Sequence, residues 1–131
     1  MTEKKDKFVE AVTKLIKLTQ EGKMKWSSVN LVRHDIKVES AFITKYKDRS
    51  MRLYKYVHEV QAPTPYVSGI FSTYKGEYPY WETSITLEFI DSNELSLWKF
   101  PYTSALIDLL QAVQYQVAEV DEFLDDIMAE K

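Results

Sequence analysis

A chain of 131 residues, 45% hydrophobic and 28% charged, has the size and balance of one ordinary globular domain. It contains no cysteine, which excludes disulfides, thiolate metal sites and thiol nucleophiles. A net charge of -3 gives no general attraction to nucleic acid, so no nucleic-acid partner is expected.

The charge is unevenly spread. Residues 1–60 carry a balance of +6 and residues 61–131 a balance of -9. Such polarity can attract two different partners, or let the two ends of the chain lie against each other. The charged opening Met1-Thr2-Glu3-Lys4-Lys5-Asp6-Lys7 leads into no secretory signal. No run of about 18 apolar residues occurs, so no membrane span is expected, and the cytoplasm is the expected location.

In chain order, residues 3–21 predict an amphipathic helix. Phe8, Ala11, Val12, Leu15 and Leu18 recur at spacings of three and four, with Lys7, Glu10, Lys14 and Lys17 opposite. Gly22 supplies the left-handed residue that ends it, and Lys23 to Trp26 reads as a connector with Trp26 folded back on the helix end. Residues 29–39 alternate weakly and predict one or two short strands. Residues 40–60 predict a β-hairpin, with Lys47-Asp48-Arg49-Ser50 at its turn. In its second strand Met51, Leu53 and Val57 point one way, and Arg52, Tyr54, Tyr56 and His58 the other. The first face is aliphatic; the second is either half-wet or a binding surface.

Residues 61–79 hold Pro63, Pro65, Gly69, Gly76 and Pro79 and predict a long loop, a type of segment that often serves function. From Tyr80 to Phe89 polar and apolar residues alternate strictly, Asp91-Ser92-Asn93 turns the chain, and Leu95 to Phe100 return. From about Ser104 the period becomes helical through Leu106, Leu109, Leu110, Val113, Val117, Val120, Leu124 and Ile127, with Thr103 or Ser104 as N-cap. An unbroken helix of that length would run about 36 Å, long for this domain, so a break is expected near residues 118–121, with Asp121 as a second cap.

Catalytic apparatus is sparse. Three glycines, at 22, 69 and 76, form no phosphate loop. His34 and His58 fit no zinc motif, so no metal and no cofactor are expected. Asp35-Ile36-Lys37 matches the acid-x-Lys element of metal-dependent nucleases, but no acid precedes it on a strand. Serine chemistry lacks an elbow motif and a neighbouring base. Glu82 and Glu88 read as solvated charges on a sheet face. No catalytic residue is assigned.

Two features are left for function. Aromatic side chains crowd the loop and its flanks: Tyr66, Phe71, Tyr74, Tyr78, Tyr80 and Trp81, to which the polar face adds Tyr54 and Tyr56. Tyrosine and tryptophan give large rigid contact area with a polar tip, suited to interfaces, bases or sugars, although the same rings can simply cover the sheet. The second feature is an acidic tail, with Asp121 and Asp125, and Glu122 and Asp126, stacked four apart. A solvated face tolerates this; a basic partner or the Lys-rich first helix would relieve it.

Gly22-Lys23-Met24-Lys25-Trp26, Phe100-Pro101, Ser104 to Leu110, Val113 to Val117 and Val120 to Leu124 together resemble small bacterial proteins of prophages and mobile elements, a group without an established function. The resemblance covers the two ends and implies a helix–sheet–helix domain with no catalytic residues.

The expectation is therefore one α+β domain over residues 1–131. It has an N-terminal helix, an antiparallel sheet of four or five strands, and a C-terminal helix that breaks near 118–121, with the helices on one face of the sheet. The first functional expectation is a non-enzymatic binding protein that recognises another protein or a second copy of itself, as an accessory module of a mobile element. The alternative is a small-ligand or nucleotide-binding protein using the aromatic face and the 61–79 loop. A metal-dependent enzyme ranks third.

Overall fold

The computed structural model describes residues 2–60 and 80–131, with side chains from Lys7 onward. The 61–79 loop expected from the sequence lies outside the described residues. Helix α1 spans Thr2–Gln20 and turns Val12 and Thr19 fully inward, with Leu15, Ile16 and Leu18 half-buried beside them. It stops at Gly22, whose φ of 73° is left-handed, so that the N–H groups of Gly22 and Lys23 reach back to the carbonyls of Thr19 and Leu18.

The next segment corrects two sequence expectations. Trp26 does fold back, its indole N–H donating to Thr19 Oγ1 at 3.0 Å, but it also opens strand β1 (Trp26–Ser28) rather than ending a connector. Conversely, residues 29–36 are not strand. The ladder continues only one step, from Val29 N–H to the Ala41 carbonyl, before Arg33 and Asp35 bond each other and the chain bends. Strand β2 begins at Lys37.

Strands β2 (Lys37–Tyr46), β3 (Arg49–Val60), β4 (Tyr80–Ile90) and β5 (Ser96–Lys99) follow β1 in spatial order β1-β2-β3-β4-β5, every pair antiparallel. The β2–β3 turn is tighter than expected. Only Lys47 and Asp48 lie outside the strands, and Lys47 takes a φ of 58°. The β4–β5 turn is built by Asp91, whose Oδ1 accepts the N–H groups of Asn93 and Leu95.

Register then sorts the side chains by period two. Trp26, Phe42, Met51, Leu53, Leu87 and Phe89 share one face, and on it α1 and α2 (Ala105–Val117) bury Val12, Leu106, Leu109, Leu110 and Val113. Phe8, Phe89, Trp98 and Phe100 close this core toward β5, with ring centroids 5.3–6.3 Å apart. The α+β architecture and the placement of helices on the aliphatic face are as the patterning predicts.

Gln116 ties the layers. Its Oε1 accepts the Trp26 N–H at 2.8 Å, and its Nε2 donates to the carbonyls of Thr19 and Met24 at 3.0 and 2.8 Å. One α2 side chain thus satisfies three backbone groups between α1 and β1. At the start of α2, Ser104 holds the cap position without a side-chain bond, and Thr103 Oγ1 accepts the Ala105 N–H instead.

The break after α2 lies where expected, by a different device. Glu119 adopts φ 55° and ψ 45°, and α3 runs Val120–Ala129. Asp121 does not cap; its Oδ1 takes the Tyr115 hydroxyl proton at 2.5 Å across the break. Among the described residues no helix is long and apolar enough to cross a membrane.

Candidate functional site

Among the described residues, the face of the sheet turned away from the helices and α3 both carry chemistry beyond packing.

On the first, β3 presents Arg52, Tyr54, Tyr56 and His58, and the register sets Glu88, Thr86, Ser84 and Glu82 of β4 directly opposite them. The three rings follow one another down the strand, tilted by 36° and 46°, at 5.2 and 5.5 Å between centroids. At the inner end Glu88 overturns its reading as a solvated charge: it is fully buried. Its Oε2 accepts from Arg52 Nε at 2.7 Å and lies 2.6 Å from an Arg52 terminal nitrogen. Burial of a carboxylate at this depth demands such a partner. Among the described residues its other oxygen has no hydrogen-bond partner, and neither has the buried Ser40 hydroxyl.

Tyr54 is only 2% exposed, so it belongs to the interior of this polar layer. Burial first, then the Glu88 carboxylate, pushes its hydroxyl pKa upward. Arg33 reaches the same layer from the β1–β2 connection, near enough for its charge to act on Tyr54. Tyr56 and His58 are half-buried.

His58 Nε2 lies 3.1 Å from Ser84 Oγ and 3.5 Å from Glu82 Oε1. The trio has the composition of a nucleophile, base and acid. Its geometry is not that of a relay, because serine and acid meet the same ring nitrogen, whereas orienting a base needs the acid on the other one. Cross-strand neighbours of this kind are the ordinary product of pairing. Among the described residues no three His, Asp or Glu side chains gather as a metal site.

Of the aromatic residues singled out, Tyr66, Phe71, Tyr74 and Tyr78 lie outside the described residues. Tyr80 and Trp81 are 46% and 66% exposed, and their alternation places them on opposite faces. Trp81 therefore shares no cleft with Tyr54 and Tyr56.

The second surface is α3. None of its residues is buried, and it rests on α2. Phe123, Leu124, Ile127 and Met128 are 61, 44, 50 and 81% exposed, and at 100° per residue they form with Val120 one stripe about 140° wide. Asp121, Glu122, Asp125 and Asp126, the acidic patch read from the sequence, are all exposed on the remainder. A groove of about 930 Å³ opens between the end of α1, α2 and the start of α3, with Asp108, Tyr115, Glu119, Asp121 and Glu122 on its wall. The hydrogen bond to Asp121 raises the pKa of Tyr115, since it holds the phenolic proton.

Sequence reasoning found the acids of α3 and missed its apolar side as a surface, because the stripe continues from buried Leu106 to Val113 without a visible interruption. It also missed the Arg52–Glu88 pair and the His58–Ser84 contact; the opposed faces of β3 and β4 were legible, but their register was not. No family model, curated protein or solved structure matches this chain.

Proposed function

We propose that the chain is a non-enzymatic binding protein that engages a second protein, with α3 as the docking element. The observation that carries this reading is the exposure of Phe123, Leu124, Ile127 and Met128 on one helix that buries nothing of its own. An apolar stripe left this open costs solubility and, beyond the contact of α3 with α2, adds little to the fold, which is the usual mark of an interaction surface. Among the described residues the polar sheet face offers no catalytic relay, because its trio lacks relay geometry and its inner carboxylate is already engaged by Arg52. An accessory role in a mobile element rests on the resemblance of the two ends of the chain alone.

The test is affinity capture from native extract with the parent protein and with the double variant Phe123→Asp/Ile127→Asp as baits. A protein retained by the parent and lost by the variant, at unchanged melting temperature, is the expected result. Identical captures would remove α3 from the interface. Sedimentation equilibrium of both proteins tells a foreign partner from a second copy.

A further inference from the structure

We infer that the partner element α3 receives is a basic amphipathic helix: an apolar stripe flanked on both sides by Lys or Arg. This deepens the reading of α3 as a docking element and rests on it. Around the helix, Asp121 and Asp125 border the stripe beyond Met128, while Asp126 borders it beyond Phe123, with Glu130 at the C-cap. Both margins are acidic, and no basic residue occurs in the last turn. A helix laid on Phe123, Leu124, Ile127 and Met128 therefore meets carboxylates along each edge, the arrangement by which flanking charges choose a partner and its register. The groove at the start of α3 shares Asp121 with that margin and adds Asp108, Glu119 and Glu122 to its wall, against one cation, Lys25.

The alternatives within the chain fit less well. A second copy's α3 would bring acid against acid on both margins, a penalty rather than a gain. A second copy's α1 is basic, but its large apolar residues face its own core; of its exposed face only Val9 is apolar and large, at 38% exposure. It has charge without a stripe. An anionic lipid surface would meet the same carboxylates that repel a second α3.

The stripe runs from Val120 to Met128, about 13 Å of the ten-residue helix, so a partner needs about three turns with apolar residues at i, i+3, i+4 and i+7. The probe is a labelled 18-residue peptide of Leu and Lys in that pattern, with its Leu/Glu counterpart and anionic phospholipid vesicles as comparisons. Fluorescence anisotropy is followed over a salt series with the full chain. The Leu/Lys peptide should bind, and its affinity should fall by tenfold or more for Phe123→Asp/Ile127→Asp. Asp121→Asn/Asp125→Asn/Asp126→Asn should weaken it several-fold and flatten its salt dependence, because margin charges act on association and screening.

Equal binding to the parent and the Phe123/Ile127 variant would show charge attraction without the stripe and overturn the inference. So would binding of the Leu/Glu peptide or of the vesicles as strong as that of the Leu/Lys peptide. If native capture still depends on Phe123 and Ile127 while the Leu/Lys peptide fails, α3 stands as the docking element and only the basic character of its partner falls.

Discussion

Removing either member of the Arg52–Glu88 pair should destabilise the fold, and the two losses should differ. Arg52→Met strands a carboxylate that is fully buried. Its Oε2 loses both close contacts, at 2.7 and 2.6 Å, and its Oε1 has no hydrogen-bond partner among the described residues to begin with. An uncompensated buried charge of this kind costs about 3–5 kcal/mol. Glu88→Leu strands the guanidinium instead, but Arg52 has a second acid, Glu94, 4.0 Å away and 65% exposed, toward which it can turn. Its cost should lie nearer 2 kcal/mol, within the range of about 1–3 kcal/mol for an unpaired buried polar group and below that of a stranded charge. The double variant Arg52→Met/Glu88→Leu removes both charges and should lose no more than the milder single, since buried ion pairs are often replaceable by apolar residues. Urea unfolding reads all three. With a slope of about 2 kcal/mol per molar, Arg52→Met should lower the midpoint by about 2 M and Glu88→Leu by about 1 M. Equal losses, or a larger loss for Glu88→Leu, would refute the role given to Glu94. A double variant as unstable as the sum of the singles would refute the pairing itself.

Gln116→Leu should cost about 1–3 kcal/mol, because it orphans the Trp26 N–H and the Thr19 and Met24 carbonyls at once; hydrogen exchange should speed up first at residues 19–26. Glu119→Gly should raise stability by up to about 1 kcal/mol in urea titration, since Glu119 stands at a φ of 55° that glycine adopts freely. The Tyr54 pKa is raised in the folded state, so its contribution is complete below the unfolded value near 10 and is lost as pH climbs through the folded one. Melting temperature should therefore fall more steeply above about pH 10 in the parent than in Tyr54→Phe.

The layout of the fold follows from local rules that a single sequence displays. Period two in Met51–Val57 and Tyr80–Phe89, period 3.6 in Phe8–Leu18 and Leu106–Val117, and Gly22 after a helix each specify an element without reference to any other. What was not legible depends on which residues meet. Trp26–Ser28 is too short to show alternation and is a strand only because Thr44, Ile43 and Phe42 lie beside it. Glu88 looks solvated in a polar alternation until register sets Arg52 opposite it. The same holds for the candidate site. The acids of α3 could be read, whereas the exposure of Phe123 and Ile127 follows from a backbone reversal at Glu119, a residue type with no propensity for it.

The strand order has a consequence for the timing of synthesis. Every strand pairs with its neighbour in sequence, so each hairpin can close soon after it is made. The helix pair cannot. Val12 of α1 waits for Leu106, Leu109 and Val113, with about 85 residues between the end of α1 and the start of α2. At roughly 5–20 residues per second that interval lasts about 4–17 s, during which the apolar side of α1 and the aliphatic face of the sheet have only each other. A chain released before residue 105 would hold all five strands with its core still open on the helix side, a state exposed to proteases and to other nascent chains.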